Sequence, residues 1–114
     1  MSTKNIISWE DFNKVDIRIG TIIEVLDFPK ARNPSYQLTI DFGQPIGVLK
    51  TAAQITVLYS KEALIGKQIL AIVNFPKKQI ANFMSECLVL GAVKEKTVYL
   101  LKPEDAVSNG LLIS

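Results

Sequence analysis

With 114 residues, 48% of them apolar and 21% charged, the chain has the composition of one folded domain with its own core, which excludes a disordered tail or a fold that needs disulfide or metal staples. A net charge of +2 excludes a histone-like polycation, so any nucleic-acid surface must come from local clustering of lysine and arginine. Without histidine and with a single cysteine, the Ser/His and Cys/His nucleophile pairs and the usual zinc ligand sets are missing, so a binding protein with no cofactor or metal is expected, and not an enzyme.

The first eight residues lack the continuous apolar core of a signal peptide, and no apolar run approaches the ~20 residues of a membrane span. The expectation is a cytoplasmic protein with no membrane insertion. Ser8-Trp9-Glu10-Asp11 has the spacing of a capping box and predicts a short helix through Phe12, with Trp9 as a packing or interface residue.

Over 15–25 the odd positions Val15, Ile17, Ile19, Thr21, Ile23 and Val25 alternate with Asp16, Arg18, Gly20 and Glu24. A period of two predicts a strand whose odd face is buried, with Gly20 supplying a bend or bulge. Asp16 and Arg18 are placed to pair within the sheet. Pro29 and Pro34 remove ladder donors from 27–35, which reads as a loop carrying Lys30 and Arg32. Tyr36, Leu38, Ile40 and Phe42 form the apolar side of a second strand, Gly43-Gln44-Pro45 turns the chain, and 46–51 is a third strand.

The stretch 52–59 suits a helix at its start and a strand at Ile55-Thr56-Val57; it is read as helical. Ser60 to Gly66 is a clearer short helix ended by glycine. Runs rich in β-formers follow at 67–75, stopped by Pro76, at 85–93, and, after the turn Lys94-Glu95-Lys96, at 97–101. A turn-rich tail precedes Leu111-Leu112-Ile113. Six strands result.

Three strands, a helical connection and two more strands match the five-stranded oligonucleotide-binding barrel. The fold class expected is therefore all-β with short helices, an OB-fold barrel with an N-terminal helix and a C-terminal extension in one domain over 1–114. The apolar surplus in 1–14 and 94–114 points to homodimerisation segments, the alternative being a tail that plugs the barrel bottom.

No acidic motif or phosphate loop is present: Glu10-Asp11 and Glu104-Asp105 sit at a helix start and a turn, Asp16, Glu24 and Asp41 are scattered, and Gly66-Lys67 lacks the rest of a P-loop. What clusters is basic: Lys30 and Arg32 in one loop, Lys50 at a strand end, and Lys77-Lys78 after Asn74-Phe75-Pro76. On charge alone, solvated surface lysines are the simpler reading. Phe12, Tyr36, Phe42, Phe75 and Tyr99 read as core. Phe83 and Met84 flank the basic loop and would suit an unstacked base or a peptide. Cys87, inside an apolar run, reads as a buried reduced thiol.

Asp16-Ile17-Arg18-Ile19-Gly20-Thr21-Ile22, Ala53-Gln54-Ile55-Thr56, and Asn74-Phe75-Pro76 leading to Ser85-Glu86-Cys87-Leu88-Val89-Leu90-Gly91 together resemble the CsaA-type tRNA-binding domain, with similarity running from about Trp9 to the end of the sequence. The resemblance implies an oligonucleotide-binding fold, a homodimer, and recognition of tRNA or other structured RNA by shape and phosphate contacts. It also implies relatives fused to methionyl-tRNA synthetase or to a human synthetase-associated cytokine precursor. CsaA proteins are further described as export-related chaperones, which makes unfolded preproteins the alternative partner.

Carried over by position, the resemblance adds Gln54, Asn74, Ser85 and Glu86 to Arg32 and Lys78. The RNA-binding set expected is thus Lys30, Arg32, Lys50, Gln54, Asn74, Lys77, Lys78, Asn82, Ser85 and Glu86, and the peptide-binding alternative is Phe83 with Met84. This chain departs from its relatives at Lys78-Gln79, where adjacent arginines are common, and at Asn82 and Met84, where glycine and a basic residue are expected. Fewer charges and less forked hydrogen bonding weaken phosphate contact.

Overall fold

Ser8 caps the first helix as its spacing predicts. Its Oγ accepts from the Asp11 amide at 3.1 Å while the Asp11 carboxylate accepts from the Ser8 amide at 3.2 Å, and α1 (Trp9–Asn13) follows. The structure, a computed structural model, describes residues 3–114.

Beyond α1 the chain forms β1 (Ile17–Asp27), β2 (Tyr36–Asp41), β3 (Val48–Ala53), α2 (Lys61–Leu64), β4 (Gln68–Ile72), β5 (Lys78–Ile80), β6 (Phe83–Ser85), β7 (Leu88–Val89), β8 (Gly91–Lys94) and β9 (Thr97–Leu100). A five-stranded antiparallel sheet in the order β3-β2-β1-β4-β7 curls into a nearly closed barrel, and β5–β6 and β8–β9 are separate hairpins. All-β with short helices is the class observed.

The long strand β1 serves two partners, pairing 21–27 with β2 and 17–21 with β4. Its burial departs from strict alternation. The register shifts between Ile22 and Glu24, so Ile22 is buried opposite Ile40, Ile23 is 48% exposed, and Val25 returns to the core opposite Leu38. The expected odd face therefore holds for only part of the strand, because the extra residue of a bulge inverts the phase. That bulge lies past Gly20. Gly20 instead permits close packing, since a Cβ there would sit 2.6 Å from Ile40 Cγ2.

Leu38, Ile40 and Phe42 are buried as the β2 pattern predicts, joined by Ile55, Leu64, Ile69, Ala71 and Cys87. The 52–59 stretch is not helical. Ala52 and Ala53 pair with Gln37 and Tyr36 in the β2–β3 ladder, Ile55 drops into the core, and 56–58 turns; β-branched Ile55, Thr56 and Val57 disfavour a helix here. Ser60 caps α2 through the Ala63 amide at 3.2 Å, Leu64 is buried, and Gly66 ends the turn at φ +86°.

The run 85–93 breaks into three elements, giving nine strands among the described residues where six were expected. Ser85 and Cys87 turn inward and their segment docks on β3. Thr51 Oγ1 lies 2.9 Å from Ser85 Oγ and donates to the Cys87 carbonyl at 2.7 Å, while the Glu86 amide donates to the Lys50 carbonyl at 2.7 Å. These contacts close the barrel between its first and last strands.

Two aromatic expectations fail. Phe75 is 50% exposed in the bend after β4, and Tyr99 is 49% exposed because a two-stranded hairpin offers the core only one face, taken by Val98 and Leu100. The tail is part of the barrel wall: Ile19 N donates to Leu111 O, Gly110 N to Ile19 O and Ile113 N to Ile17 O. It extends the sheet beside the half of β1 that β2 does not reach.

Candidate nucleic-acid interface

Two excursions from the barrel build one surface. In the loop joining β1 to β2, Phe28 is buried and its carbonyl accepts from the Ala31 amide at 3.2 Å, folding Lys30 and Arg32 outward. Opposite it stands the β5–β6 hairpin, pairing Lys78 with Ser85, Gln79 with Met84 and Ile80 with Phe83 around an Ala81-Asn82 turn. The Phe28 and Phe83 rings pack with centroids 5.5 Å apart and a 60° tilt, a favourable aromatic geometry that pins the hairpin to the loop.

Between them lies a groove of about 280 Å³, with Arg32 and Asn33 on the loop side, Lys78, Gln79 and Ile80 on the hairpin side, and Gln54 from the chain following β3. Three sequence-distant candidates, Arg32, Gln54 and Lys78, thus share one groove. Asn33 and Ile80 were not singled out from sequence, and Gln79 only as a departure from the relatives' adjacent arginines; the pairing of hairpin and loop brings them to the groove.

Lys50 and Lys77 come to the adjacent edge through Glu86. Its Oε1 accepts from the Lys50 amide at 2.8 Å and its Oε2 lies 3.8 Å from Lys77 Nζ. Glu86 therefore fixes the edge and offsets part of the Lys77 charge. The other ion pairs among the described residues are Asp11–Lys14, Asp16–Arg18 and Asp27–Lys61, so none of these pairs engages Lys30, Arg32, Lys50 or Lys78. Asp16 and Arg18 pair as expected, and the hydrogen bond from Arg18 to Asp16 raises the guanidinium pKa further.

Other candidates are engaged internally. Ser85 is buried, its Oγ accepting from the Ala52 amide at 3.2 Å beside Thr51. Asn74 ties the end of α1 to the barrel, accepting from Asp16 N at 2.9 Å and donating to Lys14 O at 2.7 Å, and it does not line the groove. Lys30 is exposed outside the groove lining, and Asn82 sits at the hairpin turn. Phe83 is partly buried on Phe28, while its neighbour Met84 is 43% exposed. Thr51, the hydroxyl that closes the barrel, carries no sequence signal that separates it from other strand threonines. Among the described residues no helix is long and apolar enough to cross a membrane, and no group of three or more Cys, Asp or Glu side chains is gathered to hold a metal ion.

Residues 17–111 match the model of the family described as "Putative tRNA binding domain". The chain is 37% identical over 109 residues to the methionine–tRNA ligase of Nanoarchaeum equitans, an alignment covering 92% of this chain and 13% of that protein; it spans only a small part of the curated relatives it matches. Among solved structures it superposes on the chaperone CsaA of Bacillus anthracis with a TM-score of 0.92 and 47% identity, and on the CsaA chaperone protein of Picrophilus torridus with 0.90 and 51%. Each of these covers 96% of this chain and 100% of the other. With the barrel, the paired loop and hairpin, and a family match across both, the chain belongs to the tRNA-binding domain family and is similar over nearly all its length to the CsaA chaperones.

Proposed function

We propose that this chain is a cytoplasmic homodimer that binds tRNA, or RNA of similar shape, through phosphate contacts at the groove between the β1–β2 loop and the β5–β6 hairpin. The observation that carries this reading is the convergence of Arg32, Gln54 and Lys78 on one groove. A second feature agrees. In register across β1, β2 and β3 stand Glu24, Thr39 and Lys50, then Leu26, Gln37 and Ala52, none aromatic. Single-strand binders stack bases on aromatic side chains; this face supports backbone contact instead.

The test is the salt dependence of tRNA affinity. Each phosphate neutralised contributes roughly −0.7 to −0.9 to the log–log slope. A steep slope is expected, made shallower in Lys78→Glu and Arg32→Glu, whose affinity falls at least about tenfold; a flat response in the unaltered chain refutes the reading. Dimerisation is supported by Ile6, Ile7, Trp9, Leu111 and Leu112, all exposed around α1 and the tail. Light scattering that returns a monomer refutes that part alone.

Polypeptide binding is the second reading, favoured by exposed Met84 and by CsaA neighbours that are themselves chaperones. Burial of apolar surface would carry it, so binding of an unfolded protein should survive high salt and weaken in Met84→Lys. Unchanged binding in that variant removes Met84 from the site.

A further inference from the structure

A second cavity opens beside the basic groove. It has about 550 Å³, within the roughly 300–1,000 Å³ typical of small-ligand sites, and its walls include Asn33 and Pro34 of the β1–β2 loop, Gln54 and Val57 after β3, and Val93 and Val98 of the β8–β9 hairpin. Asn33 and Gln54 also line the groove that holds Arg32 and Lys78. The two spaces therefore adjoin, with a pair of carboxamides as their shared wall.

We infer that this cavity receives one unstacked nucleobase of the RNA whose phosphate lies on Arg32 and Lys78, an inference that rests on the RNA-binding reading above. Base and phosphate hang from the same sugar, so a phosphate anchored in the groove delivers its base to the adjoining wall. A nucleobase has apolar faces and in-plane donors and acceptors. Valine methyls and the Pro34 ring suit the faces, and a carboxamide supplies both a donor and an acceptor to the edge. Asn33 and Gln54 are both exposed, so their carboxamides are open to a ligand.

The same lining argues against an apolar peptide side chain as the occupant. Such a group would contact Val57, Val93 and Val98 but cover two carboxamides without giving them partners, which costs free energy. Aliphatic walls stack weakly, so the cavity selects for a splayed loop nucleotide more than it adds affinity.

The experiment titrates the full chain, with labelled valine methyls and lysine side chains, against a trinucleotide RNA, the matching abasic sugar–phosphate trimer, and an unfolded polypeptide. The RNA is expected to shift Val57, Val93 and Val98, the abasic trimer to leave them unmoved, and both to shift Lys78. In parallel, Val93→Trp, a change at a residue 70% exposed that fills the cavity mouth, is expected to lower tRNA affinity about threefold, less than the loss of an aromatic stack would, without altering the salt slope. Silent valines with a responding Lys78 overturn the base site and leave the RNA groove standing. No response of Lys78 or the valines to the trinucleotide, together with none to tRNA, overturns both. Valines that respond to the polypeptide and not to RNA overturn the base site and give the cavity to polypeptide.

Discussion

A methyl group at position 20 would lie 2.6 Å from Ile40 Cγ2 and 2.7 Å from the Phe42 ring, two fully buried neighbours. Gly20→Ala is therefore expected to destabilise the barrel by about 1–3 kcal/mol through overpacking, seen as a lower urea midpoint with unchanged slope. Cys87 makes a second test at this scale. Burial pushes its thiol pKa up to about 12, whereas an unfolded thiol ionises near 8.5. Between those values the unfolded chain has released the proton and the folded chain still holds it. Stability contributed by Cys87 thus declines as pH rises from about 8.5 toward 12, and Cys87→Ala should make the decline shallower. A thiol reagent at about pH 8 should label the native chain slowly and the denatured chain fast; rapid native labelling would contradict the burial.

At the scale of elements, the tail and the hairpin each rest on contacts that can be removed singly. The Gln68 carboxamide clasps Val107, donating to its carbonyl at 2.7 Å and accepting from its amide at 3.0 Å, and also reaches Asn109 Oδ1 at 3.1 Å. Asn109 Oδ1 accepts from Thr21 as well, at 2.8 Å. Gln68→Ala is expected to speed hydrogen exchange at Gly110 and Ile113 while leaving Ile40 and Ile69 protected; equal loosening of both regions would show that the tail is not a separate unit. In the hairpin, Ala81 turns the chain at φ 51°, where a side chain costs roughly 1–2 kcal/mol. Ala81→Gly should recover about 1 kcal/mol, read as a higher midpoint of thermal unfolding.

These elements also show where sequence reading succeeds. The alternation of β2 was legible because that strand runs unbroken between two neighbours, with one face in the core. β1 was less so, since a bulge inverts the phase and no residue type announces it. The run 85–93 looks continuous by propensity, but buried Ser85 and Cys87 dock on β3 and divide it. For the interface, the charges of Arg32, Lys50 and Lys78 were visible; Arg32 and Lys78 meet where the Phe28–Phe83 contact joins loop and hairpin, and Lys50 is set beside them by Glu86. Asn74 and Ser85 were chosen by position; Asn74 bonds the Asp16 amide and the Lys14 carbonyl, and Ser85 the Ala52 amide and the Thr51 hydroxyl, partners that sequence does not display.

For the whole molecule, the radius of gyration is 14.3 Å, slightly above the roughly 13 Å of a compact chain this long, as expected with the exposed start of the chain and a hairpin standing off the barrel. Two such bodies side by side along the shortest, 28 Å, extent should give about 20 Å in small-angle scattering; a value near that of the single chain would refute the proposed dimer. The tail carries one more consequence. Arg18 donates to the Gly110 carbonyl at 3.0 Å across a separation of 92 residues, so the first half of β1 waits for the tail before its edge is sealed. During synthesis at ~5–20 residues per second that wait is about 5–20 s, an interval in which the nascent chain presents an open strand edge that a neighbouring nascent chain could pair with.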